Sequence, residues 1–366
     1  MGKILLISNK SPLTGIGRYS HQLVRHLEES GQIDFDFVNL STVAEDNYGG
    51  AVKNFSQKTR RLLDHVLFLR KISLHYDAYH LLNPNLGIVI TKCHPIVVTV
   101  HDLYPFTSMA THDFTTHSRG LDSMILFAMK LNMRFVKLAE RIIAVSQYTK
   151  KDLVSLLHVD ASRINVIYPG VDRGRFYLRD KTKTRQRLNL PLDKKIVLHV
   201  GVDEPRKNIR TLLKALHKVK KSFPNVLLVR IGGMRSETQK LIFALNLEHS
   251  VIHYEKVPEV ALYYNAADVL AFPSYYEGFG LPVLEAMASG LPVIAGNSSS
   301  IPEIVGNAGL LCSPFDIETL SEHINRVITS EDQQQKMVTE ALKRSLRFDW
   351  YECARRTIGV YRTLTP

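Results

Sequence analysis

The 366-residue sequence predicts an α/β protein built of two doubly wound, Rossmann-like domains, and three observations carry that prediction. Short apolar runs alternate with amphipathic segments along the chain, the pattern of βαβ units stacked into parallel sheets. The two halves open alike. Residues 3–7 and 195–200 are apolar runs that lead through polar and glycine residues into helical patterns over 19–27 and 209–219. Finally, the length exceeds what one ordinary core supports, while 45% hydrophobic and 22% charged residues exclude disorder and low-complexity architectures.

Taken in order, strands are expected at 3–7, 35–40, 96–100, 141–145 and 165–168 in the first half. The second half should supply strands at 195–200, 226–231, 251–254, 269–271 and 293–295. The polar run 172–195 reads as the link between the halves. The expected organisation is therefore a first domain over 1–175, a linker over 176–194, a second domain over 195–347 and a terminal segment over 348–366. Lys130, Arg134, Lys137 and Arg141 recur at helical spacing opposite Met129, Phe135 and Val136, which predicts one basic helical stripe. Pro282 suits the start of a short helix and Gly290 its end, so a helix is expected over 282–289. In sheets of this kind, ligands bind beyond the carboxyl ends of the strands.

Composition narrows the function. Forty-seven Lys and Arg residues face 35 Asp and Glu, a net charge of +12. That surplus leaves nucleic acid, anionic lipid and phosphorylated small molecules as partner classes. Cys93, Cys312 and Cys353 are too few and too scattered for a disulfide framework or a zinc cluster, and free thiols fit a reducing compartment. The purest apolar stretch, 124–129, falls far short of the roughly 18 residues that span a bilayer. The first residues form neither a signal peptide nor, with Leu6 at the hydroxyl position, a myristoylation site. A cytoplasmic protein is expected. The segment 53–71 holds Lys53, Lys58, Arg60, Arg61, Arg70 and Lys71 against Asp64, interleaved with leucines. It reads either as a solvated helix face or as a peripheral contact with an anionic membrane. With Phe55 and Phe68 as its aromatics it lacks the stacking platform of a nucleic-acid site, and no nucleic acid is expected.

Four motifs carry chemistry. Gly15-Ile-Gly17-Arg-Tyr-Ser20 follows the first strand. It reads as a weak dinucleotide fingerprint with Ser20 at the third glycine, as a flexible turn, or as a glycine loop whose amides face a phosphate. Asp34 and Asp36 stand at the start of the next strand, where a dinucleotide enzyme would want an acid at its end, and read as an ordinary strand edge. His101-Asp102 end the strand 96–100, placing a titratable pair where α/β sites form. Gly201 is followed by Arg206-Lys207-Asn208, two cations suited to a diphosphate. Last comes Glu277-Gly-Phe279-Gly280-Leu281-Pro-Val-Leu-Glu285. There the amides of Phe279, Gly280 and Leu281 would sit at a helix start, an anion site with one carboxylate on each side.

That last block resembles glycosyltransferase family 4, retaining enzymes of the GT-B fold, whose E-x7-E signature matches Glu277 and Glu285. The resemblance extends to Gly15-Ile-Gly-Arg-Tyr19, Val100-His101-Asp102-Leu103, Ile143-Ala-Val-Ser146 with Thr149, Glu204-Pro-Arg-Lys-Asn208 and Val257-Pro-Glu259. It implies two domains facing a central cleft, with the last helix crossing back to pack on the first. It also implies that Arg206 and Lys207 bind the donor diphosphate and that Glu285 holds the nucleotide ribose. Glu277 would face the transferred sugar, the main chain near Val257 the base, and His101 the sugar close to the reacting carbon. Gly15, Gly17 and Gly201 would complete the donor site. One departure is clear: many members carry an arginine directly after the glycine, where this chain has Val202. The Pro-Arg-Lys-Asn variant is most similar to mannosyltransferases. The resemblance thus implies transfer of a hexose, mannose above all, from a nucleotide sugar to a glycan or lipid-linked acceptor. GDP-mannose is favoured over UDP-sugars, and neither metal nor cofactor is needed. A nucleotide-sugar epimerase on the same fold and a non-catalytic membrane- or glycan-binding protein are the alternative readings.

Overall fold

The computed structural model describes residues 2–11, 14–43, 75–107, 109 and 121–364. The basic segment 53–71 lies outside them. The chain divides into two compact units, Met1–Gly170 with Asp349–Pro366, and Val171–Phe348.

The first unit holds β1 (Ile4–Ser8), α1 (Gly15–Ser30), β2 (Phe35–Asn39), α2 (Leu40–Val43), β3 (Ala78–Leu81) and β4 (Ile96–Val100). It continues through α3 (Leu121–Arg134), β5 (Arg141–Ala144), α4 (Gln147–Leu157) and β6 (Ile164–Val166). Its strands form one parallel sheet in the order β2-β1-β3-β4-β5-β6. Strands β1 and β4 are buried on both faces, which is why they read as unbroken apolar runs rather than alternating ones. Helix α1 begins four residues before the apolar periodicity does. The Thr14 side chain accepts from the Gly17 amide at 3.1 Å and caps it, so Gly15 and Gly17 form the first helical turn instead of a loop. Ser20, fully buried at the third-glycine position, shares its hydroxyl with Ser8 at 3.2 Å. Asp36 accepts from Tyr76 Oη at 2.6 Å and pairs with Lys3 at 3.0 Å, the behaviour of a strand edge.

The basic stripe over 130–141 is not one helix. α3 ends at Arg134, a single 3₁₀ turn covers Phe135–Leu138, and Arg141 opens β5. Pairing of Arg141–Ala144 with Val97–Val100 overrides the helical spacing.

The second unit holds α5 (Lys181–Arg187), β7 (Lys195–Val200), α6 (Ile209–Ser222), β8 (Val226–Ile231), α7 (Ser236–Ala244) and β9 (Val251–Tyr254). Then come α8 (Val260–Ala266), β10 (Val269–Phe272), α9 (Leu281–Ala288), β11 (Val293–Gly296), α10 (Ile301–Val305), β12 (Leu310–Cys312), α11 (Ile317–Thr329) and α12 (Glu331–Ser345). Its parallel sheet runs β12-β11-β10-β7-β8-β9. Helix α6 shows the logic of the layer. Ile209, Leu212, Leu213, Leu216 and Val219 are all buried, and its lysines lie on the other face. Burying each of those large side chains contributes about 1.5–3 kcal/mol.

The expected linker 176–194 is instead part of this unit. Arg185, 5% exposed, donates to Asp268 at 2.6 Å, to the Ala266 carbonyl at 2.7 Å and to the Lys194 carbonyl at 2.9 Å. Lys181 pairs with the other Asp268 oxygen at 2.9 Å, and the Ile196 amide donates to Asp268 at 2.7 Å. A segment poor in apolar residues is thus fastened by a satisfied buried ion cluster, which a reading of polarity assigns to solvent.

The last helix, α13 (Trp350–Tyr361), packs on the first unit against α1. Trp350 meets Tyr19 edge-on at 5.6 Å and stacks beside His26 at 6.3 Å. Tyr361 Oη lies 2.5 Å from His80 Nδ1, and His80 Nε2 lies 2.8 Å from Thr99 Oγ1. Cys93, Cys312 and Cys353 are all buried free thiols. Among the described residues no helix is long and apolar enough to cross a membrane.

Candidate active site

The site in the second unit grows from loops at the carboxyl ends of its central strands. After β7 the chain passes through Gly201 into a 3₁₀ turn, Pro205–Lys207. Asn208 then turns left-handed at φ 53°, its side-chain amide donating to the carbonyls of Pro273 (3.2 Å) and Pro314. Thr211 Oγ1 donates to Asn208 Oδ1 at 2.9 Å. This knot binds the cationic turn to the loop after β10, and the Tyr275 amide adds a bond to the Arg206 carbonyl at 3.0 Å. The two motifs, seventy residues apart in sequence, therefore meet.

Their side chains complete the meeting. Lys207 Nζ lies 2.6 Å from Glu277 Oε1, and Arg206 Nη1 lies 3.3 Å from Glu277 Oε2. Arg206 also pairs with Glu204 at 2.6 Å. Lys207 is 7% and Glu277 5% exposed, so this is a buried pair. Burial alone would raise the Glu277 carboxyl, but the Lys207 and Arg206 charges outweigh it and hold Glu277 below the usual range, ionised. Burial likewise draws Lys207 below the usual ammonium range, with Glu277 opposing it. The Glu277 loop is held from outside the motif. Its amide donates to Ser299 Oγ at 2.9 Å, and Ser300 Oγ donates to the carbonyls of Glu277 (3.0 Å) and Phe279 (2.8 Å).

Helix α9 starts at Leu281, one residue before the expected boundary, with Pro282 second. Gly280 stands at φ 108° as its N-cap; a Cβ there would lie 2.7 Å from Ile301 Cδ1, so only glycine fits. Phe279 is buried, its ring edge-on to Phe348 at 5.7 Å. The amides of Gly280 and Leu281 carry no hydrogen bond among the described residues, while those of Val283 and Leu284 are spent on the Gly280 carbonyl. Glu285 is buried in the next turn and accepts from Tyr264 Oη at 2.8 Å. Val257 lies half-buried in the loop between β9 and α8.

In the first unit, His101 stands at the end of β4. Its Nε2 lies 2.9 Å from the Leu82 carbonyl, which can only accept, so the proton is on Nε2 and Nδ1 is an acceptor. Burial pushes the imidazole down to about 4, leaving it neutral at pH 7. Tyr19 meets its ring edge-on at 4.7 Å, and Thr149 Oγ1 donates to its carbonyl at 3.3 Å. Gly15 and Gly17 lie in the first turn of α1, and the Gly17 amide is already taken by Thr14. Gly17 therefore cannot offer that N–H to a phosphate while the helix keeps its cap.

Arg206, Lys207, Gly201, Glu277, Phe279, Gly280, Leu281 and Glu285 thus share one end of the second sheet, while His101, Gly15 and Gly17 belong to the first unit. Sequence reading did not find Tyr264, Ser299 and Ser300, which hold the two glutamates in place. The run of serines at 298–300 ahead of a short helix is the signal that could have exposed two of them. Among the described residues no group of three or more His, Cys, Asp or Glu could hold a metal ion.

Two doubly wound units, the second with a buried lysine, a half-buried arginine, two buried glutamates and a helix start at one sheet end, have the architecture of the GT-B fold. Comparison with known proteins gives the family. The sequence model described as Glycosyltransferase Family 4 matches residues 13–175, and that described as Glycosyl transferases group 1 matches residues 180–344. The chain belongs to glycosyltransferase family 4. It is similar to O-antigen chain mannosyltransferase B of Escherichia coli, 28% identical over 97% of each chain. It is also similar to D-inositol 3-phosphate glycosyltransferase of a Nocardioides species, 32% identical over 62% of this chain and 54% of that one. Sucrose-phosphate synthase of Thermosynechococcus elongatus shares the fold, with a TM-score of 0.79 at 24% identity over 100% of this chain and 99% of that structure.

Proposed function

We propose that the protein is a retaining mannosyltransferase that moves mannose from GDP-mannose to a glycan or lipid-linked acceptor without a metal ion. The observation that carries this reading is the buried Lys207–Glu277 pair, with Arg206 half-buried against it, beside the start of α9. Breaking a sugar–phosphate bond builds negative charge on the departing diphosphate. Two cations fixed by a carboxylate and by the Asn208 knot need no reorganisation to meet that charge. They stabilise the transition state more than the ground state, and they supply charge that a metal would otherwise bring. The Gly280 and Leu281 amides add donors at a positive helix end. Glu277 and Glu285 are acceptor-only when ionised and suit sugar and ribose hydroxyls. His101, neutral with Nδ1 free to accept, suits a hydroxyl of the transferred sugar rather than a phosphate.

The choice of mannose rests on the similarity to the Escherichia coli O-antigen mannosyltransferase along nearly the whole of both chains. The partial similarity to D-inositol 3-phosphate glycosyltransferases supports a second acceptor reading, a phosphorylated polyol. The experiment is a panel of GDP- and UDP-sugars with and without acceptors, following nucleoside diphosphate release and product anomer. GDP-mannose turnover to an α-linked product that persists in EDTA is the expected result. An inverted product, EDTA-sensitive turnover or turnover of UDP-sugars alone would overturn the corresponding part. A peripheral membrane location through 53–71 belongs to the same proposal, and co-sedimentation with anionic vesicles tests it.

A further inference from the structure

Arg230, on β8, is the bulkiest of the fully buried side chains of the described residues, at 0% exposure, and it makes no ion pair among them. An unpaired guanidinium in an interior costs several kcal/mol unless its donors are satisfied. Here Nε finds no partner among the described residues, Asp203 supports the charge from a distance, and the two Nη groups turn to main chain. Nη1 donates to the Gly232 carbonyl at 2.5 Å, and Nη2 donates to Gly233 at 2.6 Å and more weakly to Gly201 at 3.5 Å. The Gly232 carbonyl takes a second bond from His253 Nε2 at 2.7 Å. The loops after β7 and β8 touch at this point. A Cβ on Gly232, at φ 127°, would lie 2.0 Å from the Gly201 carbonyl oxygen. Gly201 in turn abuts the donor-site cation, since a Cβ placed on it would lie 3.6 Å from Lys207 Cε.

Across the ladder from Arg230 stands His199, also fully exposed to no solvent, with neither ring nitrogen hydrogen-bonded among the described residues. It stacks on Phe272 at 6.1 Å, and Lys207 Nζ sits 5.1 Å from the same ring. Burial, then the Arg230 and Lys207 charges, push the imidazole well below its usual range. His199 therefore stays neutral, close to both cations, and offers Arg230 no counter-charge.

A planar trans peptide points its carbonyl and the next residue's N–H in opposite directions. Carbonyls of 201, 232 and 233 gathered on one side thus aim the amides of Val202, Gly233 and Met234 away from the guanidinium. None of those three amides donates a hydrogen bond among the described residues. We propose that Arg230 is a positioning residue of the donor site. It presets these amides toward the nucleotide diphosphate part of the donor, where Val202 leaves the chain without an arginine side chain. This rests on the donor site proposed above and deepens it.

The test uses the full chain carrying Arg230→Met or Arg230→Lys, with donor KM, acceptor KM and kcat measured, and with GDP and UDP affinity read by calorimetry. Arg230→Met should raise donor KM and weaken nucleoside diphosphate binding about tenfold, with kcat within about twofold and acceptor KM unchanged. Lys, a point charge that cannot reach three carbonyls, should give an intermediate loss. Val202→Arg added to Arg230→Met should recover part of the donor KM. Unchanged donor affinity in folded Arg230→Met overturns the inference, as does a parallel loss in donor KM, acceptor KM and kcat. Should Arg230→Met not fold, unchanged donor KM in Arg230→Lys overturns it equally. A wild-type protein that turns over no nucleotide sugar would sink the proposed function. Normal wild-type turnover with unaffected variants sinks this inference alone.

Discussion

At the carboxyl ends of the first sheet stands a neutral histidine among hydroxyls and aromatic rings, with Asp102 and Lys10 close enough to act on it in opposite directions. At the same ends of the second stand Arg206, Lys207 and an ionised Glu277 beside a helix start. Both sheets have six parallel strands, so topology does not account for the difference. Chemistry does. Neutral donors and acceptors suit sugar hydroxyls, which carry no charge in ground or transition state. A diphosphate leaving group needs fixed positive charge, and in the second unit the buried Lys207 and half-buried Arg206 are already counter-balanced by Glu277. One fold thus presents two kinds of chemistry at equivalent sheet ends, set by a handful of loop residues, and the proposed function reads them as two kinds of recognition.

The comparison breaks most readily at Lys207. Lys207→Ala should lower kcat by about 10³-fold in the donor-panel assay, because it removes leaving-group charge and leaves Arg206 as the remaining ion partner of Glu277. A loss under about tenfold would mean that Arg206 and the α9 amides suffice. Next is the ion cluster that fastens residues 176–194 to the second unit. Asp268→Ala leaves Arg185 buried and unpaired, and should cost about 3–5 kcal/mol in urea unfolding.

Acid should act on the first unit. Burial holds His80 down to about 3 against an ordinary 6.5, so the unfolded chain binds a proton below pH 6.5 that the folded chain refuses. Stability present above that pH is therefore lost as pH falls through the window from 6.5 toward 3. For His80 the loss is about 1.4 kcal/mol per pH unit. Thermal unfolding from pH 7 to 5 should show it, and His80→Leu should flatten the slope while lowering stability throughout. The smallest effect falls on His101. A neutral hydrogen-bonding partner contributes about 1 kcal/mol, so His101→Ala should cut kcat/KM about fivefold, and a loss rivalling that of Lys207→Ala would erase the contrast between the two sites.

Most strands and the acidic motif could be read from the sequence because they depend on local pattern. Strands buried on both faces give apolar runs, and Pro282 with Gly290 frames a helix. What escaped was decided by distant partners. Strand β3 is four residues containing His80, whose ring nitrogens meet Thr99 and Tyr361, the latter 281 residues away. Strand β12 is three residues beside β11, too short for any periodicity. Arg141 fitted a helical stripe and a strand equally well until pairing with β4 chose. In the site, Arg206, Lys207, Glu277 and Glu285 announced themselves by residue type and spacing. Tyr264, Ser299, Ser300 and Arg230 did not, since each acts on a neighbour brought to it by the fold.

The docking of α13 on α1 bears on how the molecule is made. Trp350, Cys353, Ile358 and Tyr361 complete the core of the first unit, yet they are separated from the rest of it by the whole of Val171–Phe348. The second unit is an uninterrupted stretch inserted within the first. During synthesis it can close as soon as it emerges, whereas the first unit waits with His80 and Tyr19 unsheltered until the final helix appears. The order of completion inverts the order of sequence, and a truncation before residue 349 would leave an intact second unit tethered to an unfinished first one.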